Sequence, residues 1–300
     1  MNQYIDNDIS VSNKEELIYY IKILNHLGSY DGKNIYEYYL FLIKYDILFI
    51  VSYILLTIET VTLIKSVNVE NYNFNYTESL SVGFAFKNAL NVKRKEKTIL
   101  ENIITNEKSS EREKICAELL KSKLNTDIRS IEKNTYAVLK NKCISRTTDD
   151  KILMLYWHIL GDMSRYCADT FHGTDKEKMH EKSMKSYSYA LHYANKMKIP
   201  PSSPKMLELL VSWTVLHKDM NKDINYSIEL AAEAFRNAIQ NMHLLENDDE
   251  CSKTIRILGI LRDNINKWCE ISGRKNVNAL FEINGENLDK YKDIMNSTHT

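Results

Sequence analysis

The feature that most constrains this chain is its shortage of residues that reverse the backbone. Three prolines and eight glycines occur in 300 residues, whereas average usage is roughly 5% proline and 7% glycine. A sheet needs frequent chain reversals, and glycine and proline supply many of them. The sequence therefore predicts an all-α protein.

Hydrophobic periodicity and helix-end signals locate the helices. Ala231, Ala234 and Ala238 recur at helical spacing beside Phe235, and small alanines let neighbouring helices approach closely. Short connections predict antiparallel neighbours. The predicted helices are 13–28, 76–105, 109–141, 150–171, 175–197, 204–221, 225–244 and 250–271.

Composition argues against several functional classes. Forty basic residues balance forty acidic ones, which gives no reason to expect nucleic acid or an anionic membrane as a partner. Five scattered cysteines without a C-x-x-C pair argue against a disulfide framework and against zinc. The N-terminus is too polar for a signal peptide, so we expect a cytoplasmic protein. Without a phosphate loop, a G-x-S-x-G or an H-E-x-x-H motif, we expect no catalytic residues, no cofactor and no metal.

Residues 35–65 form one strongly apolar stretch. Lys44, Asp46 and Glu59 interrupt it, and the longest uncharged run is 47–58. That run is shorter than the roughly 20 residues that span a bilayer. The pattern favours a buried or partner-facing helix over a membrane segment.

Two predicted helices carry a set of residues that suit an anion. Lys87 and Arg94 are seven residues apart and share one helical face, while Arg165 and Tyr166 lie on another helix. Taken separately, each is typical of a solvated surface. If the two helices pack side by side, the three cations and the hydroxyl surround one anion, and a phosphoserine matches such a set in charge and acceptors.

The last predicted helix has apolar residues on two neighbouring faces. Either one stripe packs into the core while the other lines a groove, or the helix is buried on two sides. The first stripe is Ile257, Ile260, Asn264 and Trp268, and the second is Leu258, Leu261 and Ile265.

Three segments resemble signature regions of the 14-3-3 family. They are "LSVGFAFKNALNVKRK" (80–95), "GDMSRYCADT" (161–170) and "TIRILGILRDNINKW" (254–268). The resemblance covers 76–271, and weakly 13–31. It implies a nine-helix antiparallel bundle with an amphipathic groove over 13–273, between a tail at 1–12 and a tail at 274–300. The residues of the C-terminal tail themselves suggest one extra helix near 286–295.

The family resemblance implies an adaptor that binds and regulates proteins phosphorylated on serine or threonine, in signal transduction. It places the phosphate on Lys87, Arg94, Arg165 and Tyr166. It also implies a homodimer or heterodimer formed through the N-terminal helices. The residues implied for the peptide groove are Ser212, Val215, Asp219, Ile257, Ile260, Asn264 and Trp268.

Several positions depart from the family pattern. Ser212 replaces an asparagine that holds the peptide backbone, and His158 and Leu160 replace lysines before the Arg-Tyr pair. Glu96 stands near a regulatory serine of the dimer interface, where its charge is expected to loosen the dimer. The segment 35–75 is longer than the corresponding region of the family, which contains its short second helix. The additional residues are either an extra buried helix or translated non-coding sequence.

Alanine-rich helix pairs support a second interpretation. A helical scaffold like a tetratricopeptide-repeat protein would bind unphosphorylated partners, with the basic cluster unused. The chain shows no stable period near the roughly 34 residues of that repeat. Dependence of binding on phosphate separates the two hypotheses.

Overall fold

The computed structural model describes residues 74–220 and 223–282. These residues form helices and connections, without a strand, so the all-α prediction is confirmed. The seven α-helices are α1 (Tyr76–Thr105), α2 (Glu111–Val138), α3 (Asp150–Ala168), α4 (Gly173–Lys196), α5 (Pro204–Met220), α6 (Ile224–Gln240) and α7 (Asp248–Ser272). They agree with seven of the predicted helices, whereas the predicted helix 13–28 and residues 35–73 of the predicted insertion lie outside the described residues.

Capping boxes fix where the first two helices begin. Asn75 accepts from the amide of Glu78, and the Glu78 carboxylate accepts in return from the Asn75 amide. Ser110 and Glu113 make the same reciprocal pair at the start of α2. Each box satisfies two amides that a helix N-terminus leaves unpaired. The turn between α1 and α2 is therefore set by local sequence.

The helices group into two compact units, Met1–Lys176 and Glu177–Thr300. In the first unit α1 packs against α2 and α3, and α2 packs against α3. Phe86 and Leu90 of α1 and Leu160 of α3 are fully buried there. Gly83 lies so close to the Ile159 side chain that a Cβ at this position would overlap it. This glycine permits the close approach of α1 to α3, the two helices that carry the predicted phosphate residues.

In the second unit α5, α6 and α7 pack against one another. A short 3₁₀ helix, Val277–Phe281, follows α7 and packs on α6. Phe281 meets Phe235 edge to face with ring centroids 5.1 Å apart, and the Arg236 guanidinium donates to the Leu280 carbonyl at 2.6 Å. The folded unit therefore extends beyond residue 273, which corrects the prediction of a tail from residue 274. The apolar Leu280 and Phe281 side chains, 3% and 5% exposed, anchor this segment.

None of the helices in the described part of the chain is long and apolar enough to cross a membrane. The apolar residues 35–65 lie outside that part.

Candidate functional site

Helices α1 and α3 bring three of the four predicted phosphate residues together. The Arg94 guanidinium lies 3.7 Å from the centroid of the Tyr166 ring. The Arg165 guanidinium lies 4.2 Å from the same centroid. One aromatic ring therefore holds two guanidiniums from different helices, an arrangement stabilised by attraction of the cations to the ring. Arg94 is exposed, and Arg165 and Tyr166 are half-buried.

This geometry explains how adjacent residues of one helix serve the same site. Side chains of neighbouring helical residues diverge by about 100°. The long Arg165 side chain bends over the Tyr166 ring and compensates for that angle. The guanidinium groups keep planar donor faces that match the oxygens of a phosphate or carboxylate.

Lys87, the fourth predicted phosphate residue, pairs with a buried acid. The Lys87 Nζ atom lies 2.7 Å from Oδ2 of Asp162, and the two side chains are 30% and 5% exposed. Burial opposes ionisation of Asp162, but Lys87, the protonated form of His158 present in acid, and Arg165 outweigh it and hold the pKa of the carboxyl well below its usual range. Asp162 is therefore a fixed negative charge beside the cations.

His158 lies on the other side of the same carboxylate. Its Nε2 atom is 3.8 Å from Oδ1 of Asp162. Burial, together with repulsion by Lys87 and Arg165, outweighs the attraction of Asp162 and lowers the pKa of His158 to about 4. The imidazole is neutral at pH 7, so position 158 adds no charge to this cluster.

Contacts at the C-terminal end of α3 fix the helix next to its neighbours. Lys97 of α1 donates to the Asp169 carbonyl at 2.9 Å. Arg129 of α2 donates to the Thr170 hydroxyl at 3.1 Å and also to the Thr170 carbonyl. The Arg129 guanidinium lies 4.1 Å from the Phe171 ring centroid. These contacts limit movement of Arg165 and Tyr166 relative to α1.

Glu96 carries an ion pair within its own helix. Its carboxylate lies 3.1 Å from the Nζ atom of Lys93, one turn earlier. Lys93 Nζ also lies 3.9 Å from the carboxylate of Asp127 on α2. A carboxylate paired in this way presents less charge to an incoming surface than an unpaired one. The expected effect of Glu96 on a dimer is therefore weakened.

The predicted groove residues all lie in the second unit, on α5 and α7. Ile260 is 47% exposed, but Ile257 and Trp268 are each 4% exposed and belong to the core shared with α5 and α6. At 3.6 residues per turn, Ile257 and Trp268 fall between the buried Leu261 and the exposed Ile260. Ile257 and Trp268 therefore contribute most of their surface to this core, and their place in a peptide groove stays a prediction. The helix is buried over a wider arc than a single stripe.

The remaining groove residues are partly exposed. Val215 packs at the margin of the α5–α7 core. Asn264 and Ser212 are half-buried. Asp219 carries a carboxylate 3.6 Å from the Nζ atom of Lys218.

The sequence analysis did not select Asp162. It precedes Arg165 by three residues and Tyr166 by four, spacings that place side chains on one helical face. That spacing was a usable signal for an acid near the cluster. Its pairing with Lys87 comes from contact between two helices, which the sequence pattern does not reveal.

Comparisons with known proteins agree with the fold. A family model described as 14-3-3 protein matches residues 56–269, which include α1 through most of α7. The match begins inside the predicted insertion 35–75.

Individual relatives are distant in sequence. Protein BMH2 of Saccharomyces cerevisiae is 27% identical over 213 residues, covering 70% of this chain and 77% of that protein. The 14-3-3 protein homolog 2 of Schistosoma mansoni is 26% identical over 189 residues, covering 63% and 87%. The 14-3-3 protein zeta of Bombyx mori is 25% identical over 204 residues, covering 68% and 82%.

Proposed function

The chain belongs to the 14-3-3 family, and from that premise we propose that it binds phosphoserine and phosphothreonine segments of partner proteins. An adaptor role is supported at the level of the family. The finer proposal concerns the ligand. Arg94, Arg165, Tyr166 and Lys87 hold the phosphate.

The observation that carries this proposal is the shared position of Arg94 and Arg165 on the Tyr166 ring. Two guanidiniums on one ring repel each other, and a bound anion offsets that repulsion. A phosphorylated side chain carries about −1.5 to −2 charges and three acceptor oxygens. It therefore satisfies more of the donors than a carboxylate does.

The peptide around the phosphate requires further contacts. The second unit, taken by itself, carries candidate contacts for a peptide: Ile260 offers an exposed apolar side chain and Asn264 an amide that can bond to a peptide backbone. Ser212 has a single hydroxyl in place of an amide, so it forms fewer such bonds. Loss of one or two hydrogen bonds costs about 1–3 kcal/mol, which predicts weaker binding than a second asparagine would give.

Dimer formation through the N-terminal residues is a separate part of the proposal. Those residues lie outside the described part of the chain. Sedimentation velocity of the full chain tests it, and a single species of monomer mass at micromolar concentration argues against it.

A fluorescence polarisation titration tests the phosphate proposal directly. The protein is added to a labelled, arginine-rich phosphoserine peptide and, in parallel, to its unphosphorylated twin. We expect saturable binding of the phosphorylated peptide alone, weakened by added salt because the interaction depends on charge. Equal binding of both peptides would favour the scaffold hypothesis, in which the basic cluster is unused.

Pocket variants test the residues. We expect Arg165→Ala or Lys87→Glu to nearly abolish binding of the phosphopeptide while helicity by circular dichroism stays unchanged. Arg112→Ala and Lys108→Glu make the same changes at exposed positions of this unit and serve as controls. Retained affinity in both pocket variants would refute the assignment.

A further inference from the structure

We propose that Asp162 is a positioning residue of the phosphate pocket, which acts by holding the ammonium group of Lys87 beside Arg165. This inference rests on the proposed function and adds an acid to a site assembled from cations. It is carried by the pairing of Lys87 with a buried carboxylate on the neighbouring helix.

The position of Lys87 allows it to contact Asp162 and a bound phosphate at the same time. Asp162 is 4% exposed, and its Oδ2 atom lies 2.7 Å from Lys87 Nζ, whereas the Lys87 side chain keeps 30% of its surface exposed. An ammonium group has three N–H donors. Lys87 can therefore remain paired with the acid while it donates to a phosphate oxygen.

The surroundings of Asp162 make this pairing important. Its Oδ1 atom faces the neutral imidazole of His158 at 3.8 Å. Arg165, one turn farther along α3, also attracts the carboxylate, but its guanidinium lies over the Tyr166 ring. Lys87 compensates the charge of the buried acid at hydrogen-bond distance.

Removing the acid has two opposing effects on phosphate binding. A negative charge near the ligand disappears, which favours the anion. The largely buried Lys87 side chain then loses the counter-charge of Asp162 while it stays near the positive Arg165, and loss of a close counter-charge is unfavourable for a buried cation. Lys87 responds by turning to solvent, which removes a cation from the pocket. We expect this loss to dominate.

A double-mutant cycle tests the inference. Asp162→Asn and Lys87→Gln are made singly and together, and phosphopeptide binding is measured by fluorescence polarisation. We expect each single variant to weaken binding on the order of tenfold, and the double variant to be no weaker than either, because both remove the same contact. Asp162→Asn that binds as tightly as wild type or more tightly, or losses that multiply in the double variant, would overturn the inference.

A second measurement needs no ligand. Lysine acylation at limiting reagent, followed by mass spectrometry, compares Lys87 with Lys95, an exposed lysine on the same helix. We expect Lys87 to react several-fold more slowly in wild type, and its rate to rise in Asp162→Asn. Equal rates in wild type would overturn the pairing, even where the variant fails to fold.

The two proposals fail in different ways. If wild type does not distinguish the phosphorylated peptide from its twin, the proposed function fails, whatever the labelling shows. If wild type does distinguish them and Asp162→Asn changes nothing, only the role of Asp162 fails.

Discussion

Burial of a neutral histidine makes the stability of this protein depend on pH. In the folded chain the pKa of His158 is lowered from 6.5 to about 4, first by burial and then by Lys87 and Arg165, against the attraction of Asp162. Between these values the unfolded chain binds a proton that the folded chain excludes. The free energy of unfolding therefore rises with pH across this window and falls as the solution is acidified.

The size of the effect follows from the two pKa values. With 6.5 unfolded and about 4 folded, the linkage relation gives a loss near ~1 kcal/mol at about pH 5.5 and ~2–3 kcal/mol at about pH 4.5, relative to neutral pH. His158 is 9% exposed, so solvent screening reduces this little. Asp162 titrates below its usual range and stays ionised throughout.

Urea denaturation across the same pH window measures the effect. His158→Gln is neutral at every pH, so its packing cost is constant and only the slope against pH reports the proton. On acidification from about pH 7 to pH 4.5, we expect the free energy of unfolding to fall by ~2–3 kcal/mol more for wild type than for His158→Gln. His172→Gln, at an exposed histidine, is the matched control. Parallel curves for wild type and His158→Gln would refute the burial of a neutral imidazole.

Two further predictions concern packing. Gly83→Ala places a methyl group against the buried Ile159 side chain, so we expect it to lower the free energy of unfolding by about 1–3 kcal/mol. Adding Ile159→Val to this variant should recover part of the lost stability. An unchanged cost of Gly83→Ala in the Ile159→Val background would contradict the overlap. Phe281→Ala removes the ring that packs on Phe235, and we expect a loss of about 3–5 kcal/mol by urea denaturation, whereas a loss below about 1 kcal/mol would show that the segment after α7 is a tail.

The helices were predictable from the sequence because their signals are local. Few glycines and prolines interrupt the helices. The alanine periodicity of α6 and the proline that begins α5 each act within a few residues. The continuation of the fold past Gly273 was not predictable in this way. Gly273 at φ +69° ends α7 as expected for a left-handed cap, but burial of Leu280 and Phe281 depends on the surface of α6.

The cations of the candidate site could be predicted from the sequence, whereas the acid, Asp162, could not. The spacing of Lys87 and Arg94 and the Arg165–Tyr166 pair carried enough pattern to select them, although phosphate binding itself stays a prediction. The sequence left the burial of Ile257 and Trp268 open because two apolar stripes on one helix look alike until the neighbouring helices are known. Periodicity indicates how much of a helix is apolar, whereas packing decides which part is covered.

The buried Asp162 explains the consequence of having His158 where the family pattern has a lysine. A lysine there would give Asp162 a second cation and share the work of Lys87, whereas the neutral His158 leaves the carboxylate more dependent on Lys87. The same substitution therefore lowers the positive charge of the cluster and leaves Lys87 as a close counter-ion of the buried acid. For the proposed phosphate site, we therefore expect recognition to depend more on short-range contacts with held donors than on the net positive charge of the surface.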